Sequence, residues 1–344
     1  FYASTLIFTM ATLPVHFIRM NNMPLIEGVY LMPKPLNHPN DSNKIIMSSD
    51  SHDRGIYELD LTSNKLKRLY KYDRVQIETH QHLIHSKTKT LFIFGGGLLC
   101  GPATFNLATA EMNYDHMEDG SIISCYISSK DEFHIIGKIY TEIRHQIWRF
   151  DKKGKMNLIS WQPLEFELDS ELIYVPFQEK LIALRIADFC IEIWECKLNA
   201  SNQNDLQWNK NGIVTKIKEY HSVGIIDVIL GFENILFMFY FDVHYNLEIW
   251  CYHLLHQKSY ESKHKVSKMM KPDSVIYVVK DSNNNAHILD FVSGKHIKID
   301  LFELIPNELI KAHEAFYEPL VMGYSKKTNL PVVLKKLILK FYPL

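Results

Sequence analysis

Histidine is the residue type with the most chemical potential in this chain, and three sit close together at His80, His82 and His85. On a strand, His80 and His82 point to one face, which suits a pair of metal ligands, and Glu78 shares that face. A metal site also needs a further ligand placed in space, so no metal is assigned. His253 and His256 follow a strand-like run three residues apart, a weaker pairing, and seventeen histidines make chance pairs common. Gly95-Gly96-Gly97 is followed by Leu98-Leu99-Cys100 and lacks the Lys-Ser/Thr of a phosphate loop. No Gly-x-Ser-x-Gly elbow is present. Acidic residues are scattered, so no glycosidase-type carboxylate pair stands out. Cys190 and Cys196 could meet across a hairpin, although buried thiols are the expectation, and Cys125 reads as core. The chain is therefore expected not to be an enzyme, with no catalytic residue, no metal and no cofactor.

Composition narrows the classes further. At 344 residues the chain has room for two average domains or one all-β ring. A hydrophobic content of 47%, with 12% aromatic, supports a large core. A net charge of −1 argues against a dedicated nucleic-acid binder. Five cysteines, an odd number without a CxxC pair, argue against a disulfide framework or zinc ribbon and fit a reducing, cytoplasmic setting. Phe1 to Met20 is apolar, with no charge before Arg19. It reads as a loosely docked N-terminal extension (residues 1–22), a targeting segment being the alternative. Pro14 and His16 speak against a membrane span.

The elements that must position any site come from a spaced repeat. Six short segments carry an aromatic or aliphatic anchor before a turn: Tyr57, Phe105, Trp148, Trp194, Trp250 and Ile288. A second strand precedes each anchor, a third often precedes that across a polar turn, and a fourth follows. Four strands per unit with a period in the forties predict a β-propeller.

One unit carries a family resemblance. His82, followed by Leu91-Phe92-Ile93-Phe94-Gly95-Gly96, resembles the kelch repeat, whose second strand ends in a double glycine. Trp148, Trp194 and Trp250 sit near the place where kelch repeats carry a large aromatic. The other units depart from the pattern, with Gly137 the single remnant. No Trp-Asp dipeptide of the WD type occurs. The resemblance offers a structural role for His82. It implies an adaptor or scaffold, as in ubiquitin-ligase substrate recognition or actin association, although no BTB or clear F-box segment is visible. Galactose oxidase is a kelch-type enzyme, but the copper ligands it needs are not supplied here.

The expected architecture is an all-β, six-bladed kelch-like propeller over residues 23–301, with seven blades as the rival. The first unit is expected to draw its inner strand from Ile26 to Leu31, and the last to finish at Ile297 to Leu301. Residues 302–344 switch to helical spacing. Leu309, Ile310, His313, Phe316, Tyr317 and Leu320 fall on one helix, and Pro331 to Phe341 on a second, predicting a helical hairpin packed on the ring.

Propellers bind partners through loops at one end of the channel. Here those loops are expected to be Ser49 to Arg54, Leu98 to Pro102, Tyr140 to His145, Ala187 to Cys190, Asp242 to Asn246 and Asp281 to Asn285. Arg54, Arg144, His145, Asp242 and Tyr245 are the preferred contacts. The expected function is protein–protein interaction, with neither nucleic acid nor membrane as partner. The alternative is an enzyme or carbohydrate-binding propeller with its site at the channel mouth.

Overall fold

In the computed structural model the β-branched and aromatic runs form strands, since such side chains suit a pleated, buried surface. The structure describes residues 16–19, 34–49, 55–71, 79–95, 103–114, 121–128, 130–139, 142–150, 156–166, 172–187, 190–198, 206–214, 225–232, 234–241, 246–262, 276–291 and 294–311.

The first strand, β1 (His16–Arg19), stands apart in sequence from those that follow. Blade one comprises β2 (Leu36–His38), β3 (Asp41–Ser49), β4 (Gly55–Asp60) and β5 (Lys65–Lys71). Blade two comprises β6 (Thr79–His85), β7 (Thr90–Gly95), β8 (Ala103–Asn106) and β9 (Met112–Tyr114). Blade three is β10 (Ser121–Ile127), β11 (Phe133–Ile139), β12 (Glu142–Phe150) and β13 (Met156–Pro163). Blade four is β14 (Ile173–Val175), β15 (Lys180–Ala187), β16 (Cys190–Lys197) and β17 (Trp208–Val214). Blade five is β18 (Ile225–Gly231), β19 (Ile235–Phe241), β20 (Leu247–His253) and β21 (Lys258–Glu261). Blade six holds β22 (Ile276–Lys280), β23 (Asn285–Asp290) and β24 (Lys295–Asp300), and β1 completes it.

Each blade is a four-stranded antiparallel sheet. Residues of β2, β6, β10, β14, β18 and β22 all line one central cavity, so these are the innermost strands and the blades stand radially around it. The chain is a six-bladed β-propeller.

The core lies between blades. Six apolar clusters each join two adjacent blades. Between blades two and three, Phe92 meets Phe133 edge-on at 4.9 Å and Phe150 at 5.5 Å. Between blades six and one, Val279, Leu289 and Phe291 pack on Ile45, Met47, Tyr57 and Leu59. Fully burying one such side chain contributes about 2 kcal/mol. Every blade therefore depends on both of its neighbours.

The anchors mark a recurrent irregularity. Tyr57, Phe105, Trp148, Trp194 and Trp250 lie on the third strand of their blades. In blades one, three and four the fourth strand bulges opposite an Ile-aromatic pair, at Ile56/Tyr57, Ile147/Trp148 and Ile193/Trp194. A bulge bends the outer strand and deepens the local twist. Polar turns close the hairpins: the Asp60 carboxylate accepts from the Thr62 and Ser63 amides, both at 2.8 Å, and Asn64 takes the left-handed position at φ 54°.

Several expectations need correction. Ile288 lies on β23, the second strand of its blade, one strand out of phase with the other anchors. The Asp281–Asn285 turn therefore joins a first strand to a second, and sits at the opposite end of the ring from the second-to-third hairpins. The last blade does not finish within the 297–301 run: β24 is its third strand, and β1 pairs antiparallel beside it, with Ile18 opposite His296. The N-terminal segment expected as a loose extension thus supplies the strand that closes the ring. Blade one takes β2 as its innermost strand, and the run expected for that place, residues 26–31, lies outside the described residues.

Past β24, residues 307–311 are helical after Pro306. Leu304, Ile305 and Leu309 are buried in the core between blades five and six. The start of the expected helix packs on the ring; the remainder of the expected hairpin lies outside the described residues.

Candidate functional site

The innermost strands enclose a cavity of about 580 Å³ on the ring axis. Its walls are stretches of each inner strand, whose edges face the axis while successive side chains turn toward the two neighbouring blades. Tyr126 of β10 and Tyr174 of β14 border it and stack between blades three and four, with ring centroids 4.7 Å apart. Burial pushes the Tyr126 phenol well above its ordinary range, with Tyr174 and Glu179 adding to the rise.

Charges at the cavity wall are held in pairs. Lys34, just ahead of β2, places Nζ 2.5 Å from Asp227 Oδ1 and donates to the Val228 carbonyl at 3.1 Å. Asp227 also accepts from the Val228 and Val278 amides, each at 2.7 Å. Asp227 sits at a register shift in β18, which turns its carboxylate toward these donors. One carboxylate thereby gathers blades one, five and six. Asn37 adds a second tie, donating to the Lys280 carbonyl at 2.7 Å.

His82 faces blade one from β6. Its Nε2–H donates to the Lys34 carbonyl, so Nδ1 accepts from the Ser48 hydroxyl at 3.2 Å. Burial lowers its pKa to about 4, against a smaller opposing pull from that carbonyl. His85 turns the other way, toward blade three, donating to Asp131 at 3.3 Å and accepting from Thr88 at 2.7 Å. Lys87 reaches Asp131 at 2.6 Å, and this bond, then His85, holds the carboxyl below its ordinary range. His82 and His85 therefore belong to different blade interfaces. Among the described residues, no group of three or more His, Cys, Asp or Glu side chains is placed to hold a metal ion.

The expected contacts fare differently. Arg144 lies on β12 near the second-to-third hairpin of blade three and is partly exposed. Its guanidinium is 2.6 Å from Glu142 and lies 4.1 Å over the Trp161 ring, toward the outer edge of the blade. His145, next in sequence, is fully buried. Trp208 Nε1–H of blade four points at His145 Nδ1 at 3.3 Å, so His145 carries its proton on Nε2 and donates to His134 Nδ1 at 3.1 Å. That imidazole joins blades three and four and is not at a loop tip. Arg54, Asp242 and Tyr245 lie outside the described residues.

Sequence reasoning missed the buried histidines as a class. His287 and His296 form a second pair at 2.8 Å, flanked by Asp281 at 3.2 Å and by the Asn64 side-chain amide of blade one at 2.9 Å. The available signal was their setting between apolar neighbours, as in Phe133-His134-Ile135 and Ala286-His287-Ile288. Cys190 and Cys196 sit at the two ends of one strand, β16, about 20 Å apart at strand rise, and do not meet across a hairpin.

No protein-family model matches the chain, and no curated protein matches it. Solved structures similar to it are propellers or proteins of the same shape. The Cps50 (Swd1) β-propeller domain of Myceliophteria thermophila superposes with a TM-score of 0.52 at 8% identity, over 78% of this chain and 96% of that one. An auxiliary nutrient binding protein from Bacteroides thetaiotaomicron gives 0.54 at 7% identity, over 78% and 68%. A protein from Lactobacillus plantarum gives 0.50 at 11%, over 76% and 82%. At such identities the likeness concerns the fold alone.

Proposed function

We propose that this propeller is a protein-binding scaffold of degenerate kelch type, engaging a protein partner through loops at one end of the ring. The observation that carries this reading is topological. In blades one to five the hairpins joining second and third strands all emerge at the same end, on a ring fastened by an apolar core at every blade junction. Rigid presentation of variable loops lowers the ordering cost of recognition. Arg144 is the best-supported contact, since arginine beside tryptophan is characteristic of interface hot spots. Arg54, Asp242 and Tyr245 lie outside the described residues and enter the proposal from the sequence alone. A cytoplasmic setting suits the free thiols Cys190, Cys196 and Cys251.

The test is affinity capture with the wild-type chain beside the triple variant Arg54→Ala, Arg144→Ala and Asp242→Ala. A partner held by the wild type and lost by the variant, with the fold unchanged by circular dichroism, supports the reading. Partners held equally by both remove it.

One observation favours a second reading. The axial cavity and the Tyr126–Tyr174 stack bordering it offer an apolar platform flanked by polar groups, as in carbohydrate-binding sites. Calorimetric titration with oligosaccharides, with Tyr126→Ala as control, separates the two.

A further inference from the structure

The outer strand of each blade is a sheet edge, and its outward backbone N–H and C=O groups are a template for another strand. Five outer strands are short, uncharged or neutralised, or carry few charges. β9 and β21 span three and four residues, β1 spans four, and β13 has no charged residue. The one cation of β17, Lys210, is held by Glu192 at 2.5 Å. β5 is different. It is seven residues long, lies at the edge of its sheet beside β4, and carries Lys65, Lys67, Arg68 and Lys71 with no acidic residue. All four are exposed, in a chain whose net charge is −1.

The acidic residues around this strand are already engaged. Asp60 stands opposite Lys65, but its Oδ1 accepts from the Thr62 and Ser63 amides. Glu58 stands opposite Lys67 and is 3.3 Å from Lys44 and 3.8 Å from His38. Asp41 accepts from the Asn43 amide at 3.0 Å and lies 3.8 Å from Lys44. On the neighbouring edge, Glu111 ahead of β9 accepts from the Thr109 hydroxyl at 3.0 Å. Neither Lys65 nor Lys67 is in an ion pair with a described residue. The two are two residues apart, so they share a face of the strand. They sit at the end of β5 that follows the Asn64 turn, remote from the second-to-third hairpins. Lys71 stands opposite Gly55, beside the hairpin end, and is not part of the surface. β5 and β9 both run toward that hairpin end, so the chain leaves each of them away from Lys65 and Lys67.

We propose that the Lys65–Lys67 edge of blade one receives an acidic, extended segment of a partner protein, which adds to the blade as a fifth strand. The free edge supplies backbone hydrogen bonds, and the lysines at every second position meet carboxylates at every second position of the incoming strand. The same lysines turn away a second copy of this chain, because like charges directly opposite destabilise a strand pair. The surface lies at the other end of the ring from the second-to-third hairpins, so this inference stands whether or not those hairpins bind a protein.

Fluorescence anisotropy with a labelled peptide of alternating glutamate and valine tests it. Saturable binding to the wild type is expected, lost in about 1 M salt, where charges are screened beyond about 3 Å. Lys65→Glu with Lys67→Glu is expected to weaken it at least about tenfold and to create binding of a lysine–valine peptide. Lys197→Glu, at an exposed lysine on blade four, is expected to leave the affinity unchanged. A glutamate–proline peptide of the same charge, which cannot donate to a ladder, is expected to bind at least about tenfold more weakly. No saturable binding, or binding unchanged by the β5 substitutions, overturns the proposal. Equal binding of the proline peptide overturns strand addition, and tighter binding of a single-stranded oligonucleotide of equal charge overturns the protein partner. Circular dichroism confirms that each variant is folded.

Discussion

Lys34 and Asp227 meet across the sixth blade: one precedes the inner strand of blade one, the other belongs to the inner strand of blade five, and their charged atoms lie 2.5 Å apart. Both are largely withdrawn from solvent, and Asp227 also fastens the amide of Val278 between them. Removing one partner leaves the other desolvated and without its countercharge, which costs more than an exposed pair gains. Asp227→Ala is therefore expected to destabilise the ring by about 3 kcal/mol, and Lys34→Met by less, about 1–2 kcal/mol, because Asp227 keeps its backbone donors. Urea unfolding of both single variants and the double variant measures the coupling; additive effects would contradict a shared bridge.

Acid should loosen the junction between blades three and four. Burial lowers His134 to about 4 and His145 well below 6.5, with Lys130 and His134 respectively adding to the depression. An unfolded histidine binds its proton near 6.5, so the unfolded state takes up protons first as pH falls. The contribution is fully present above pH 6.5 and is lost as pH drops toward 4, about 3 kcal/mol for one such histidine. His145→Asn should flatten the decline in unfolding free energy between those limits. An unchanged pH profile in that variant would exclude the buried pair as its cause.

Gly212 has a packing reason to be glycine. A Cβ built there would lie 1.9 Å from Tyr252 Oη and 2.9 Å from the ring carbon that bears it. Tyr252 is fully buried and donates to Asn211 Oδ1 at 3.0 Å, so the ring is not free to swing away. Gly212→Ala is expected to cost about 2–3 kcal/mol by overpacking, and Gly212→Ala with Tyr252→Phe to recover part of it. Thermal melts of the pair decide the matter, and a single variant as stable as wild type would show that the contact yields.

Asn64 separates backbone from side-chain effects. It holds φ 54° in the turn after β4 and reaches His296 of blade six. Asn64→Gly relieves the backbone but drops the bridge; Asn64→Ala loses both, and should be the less stable by about 1 kcal/mol. Equal stabilities would mean the turn carries no conformational preference.

Much of the fold was legible because strand repeats are local. The Ile-aromatic pairs at Ile147-Trp148 and Ile193-Trp194 mark third strands, and the structure gives them a shared bulge. The last blade was read one strand out of phase because its outermost strand comes from some 280 residues earlier in the chain, a pairing no local pattern announces. His145 was read as a loop residue because it follows a turn; its burial depends on Trp208 arriving from the next blade. The Lys34–Asp227 bridge was invisible for the same reason, since neither residue looks unusual among its sequence neighbours.

The proposed scaffold role is tested most directly by hydrogen–deuterium exchange of the chain alone and with its captured partner. Protection is predicted in the second-to-third hairpins, including residues 140–145, with the inner strands around the axial cavity unchanged. Protection confined to the inner strands near Tyr126 and Tyr174, with the hairpins exchanging as before, would contradict it.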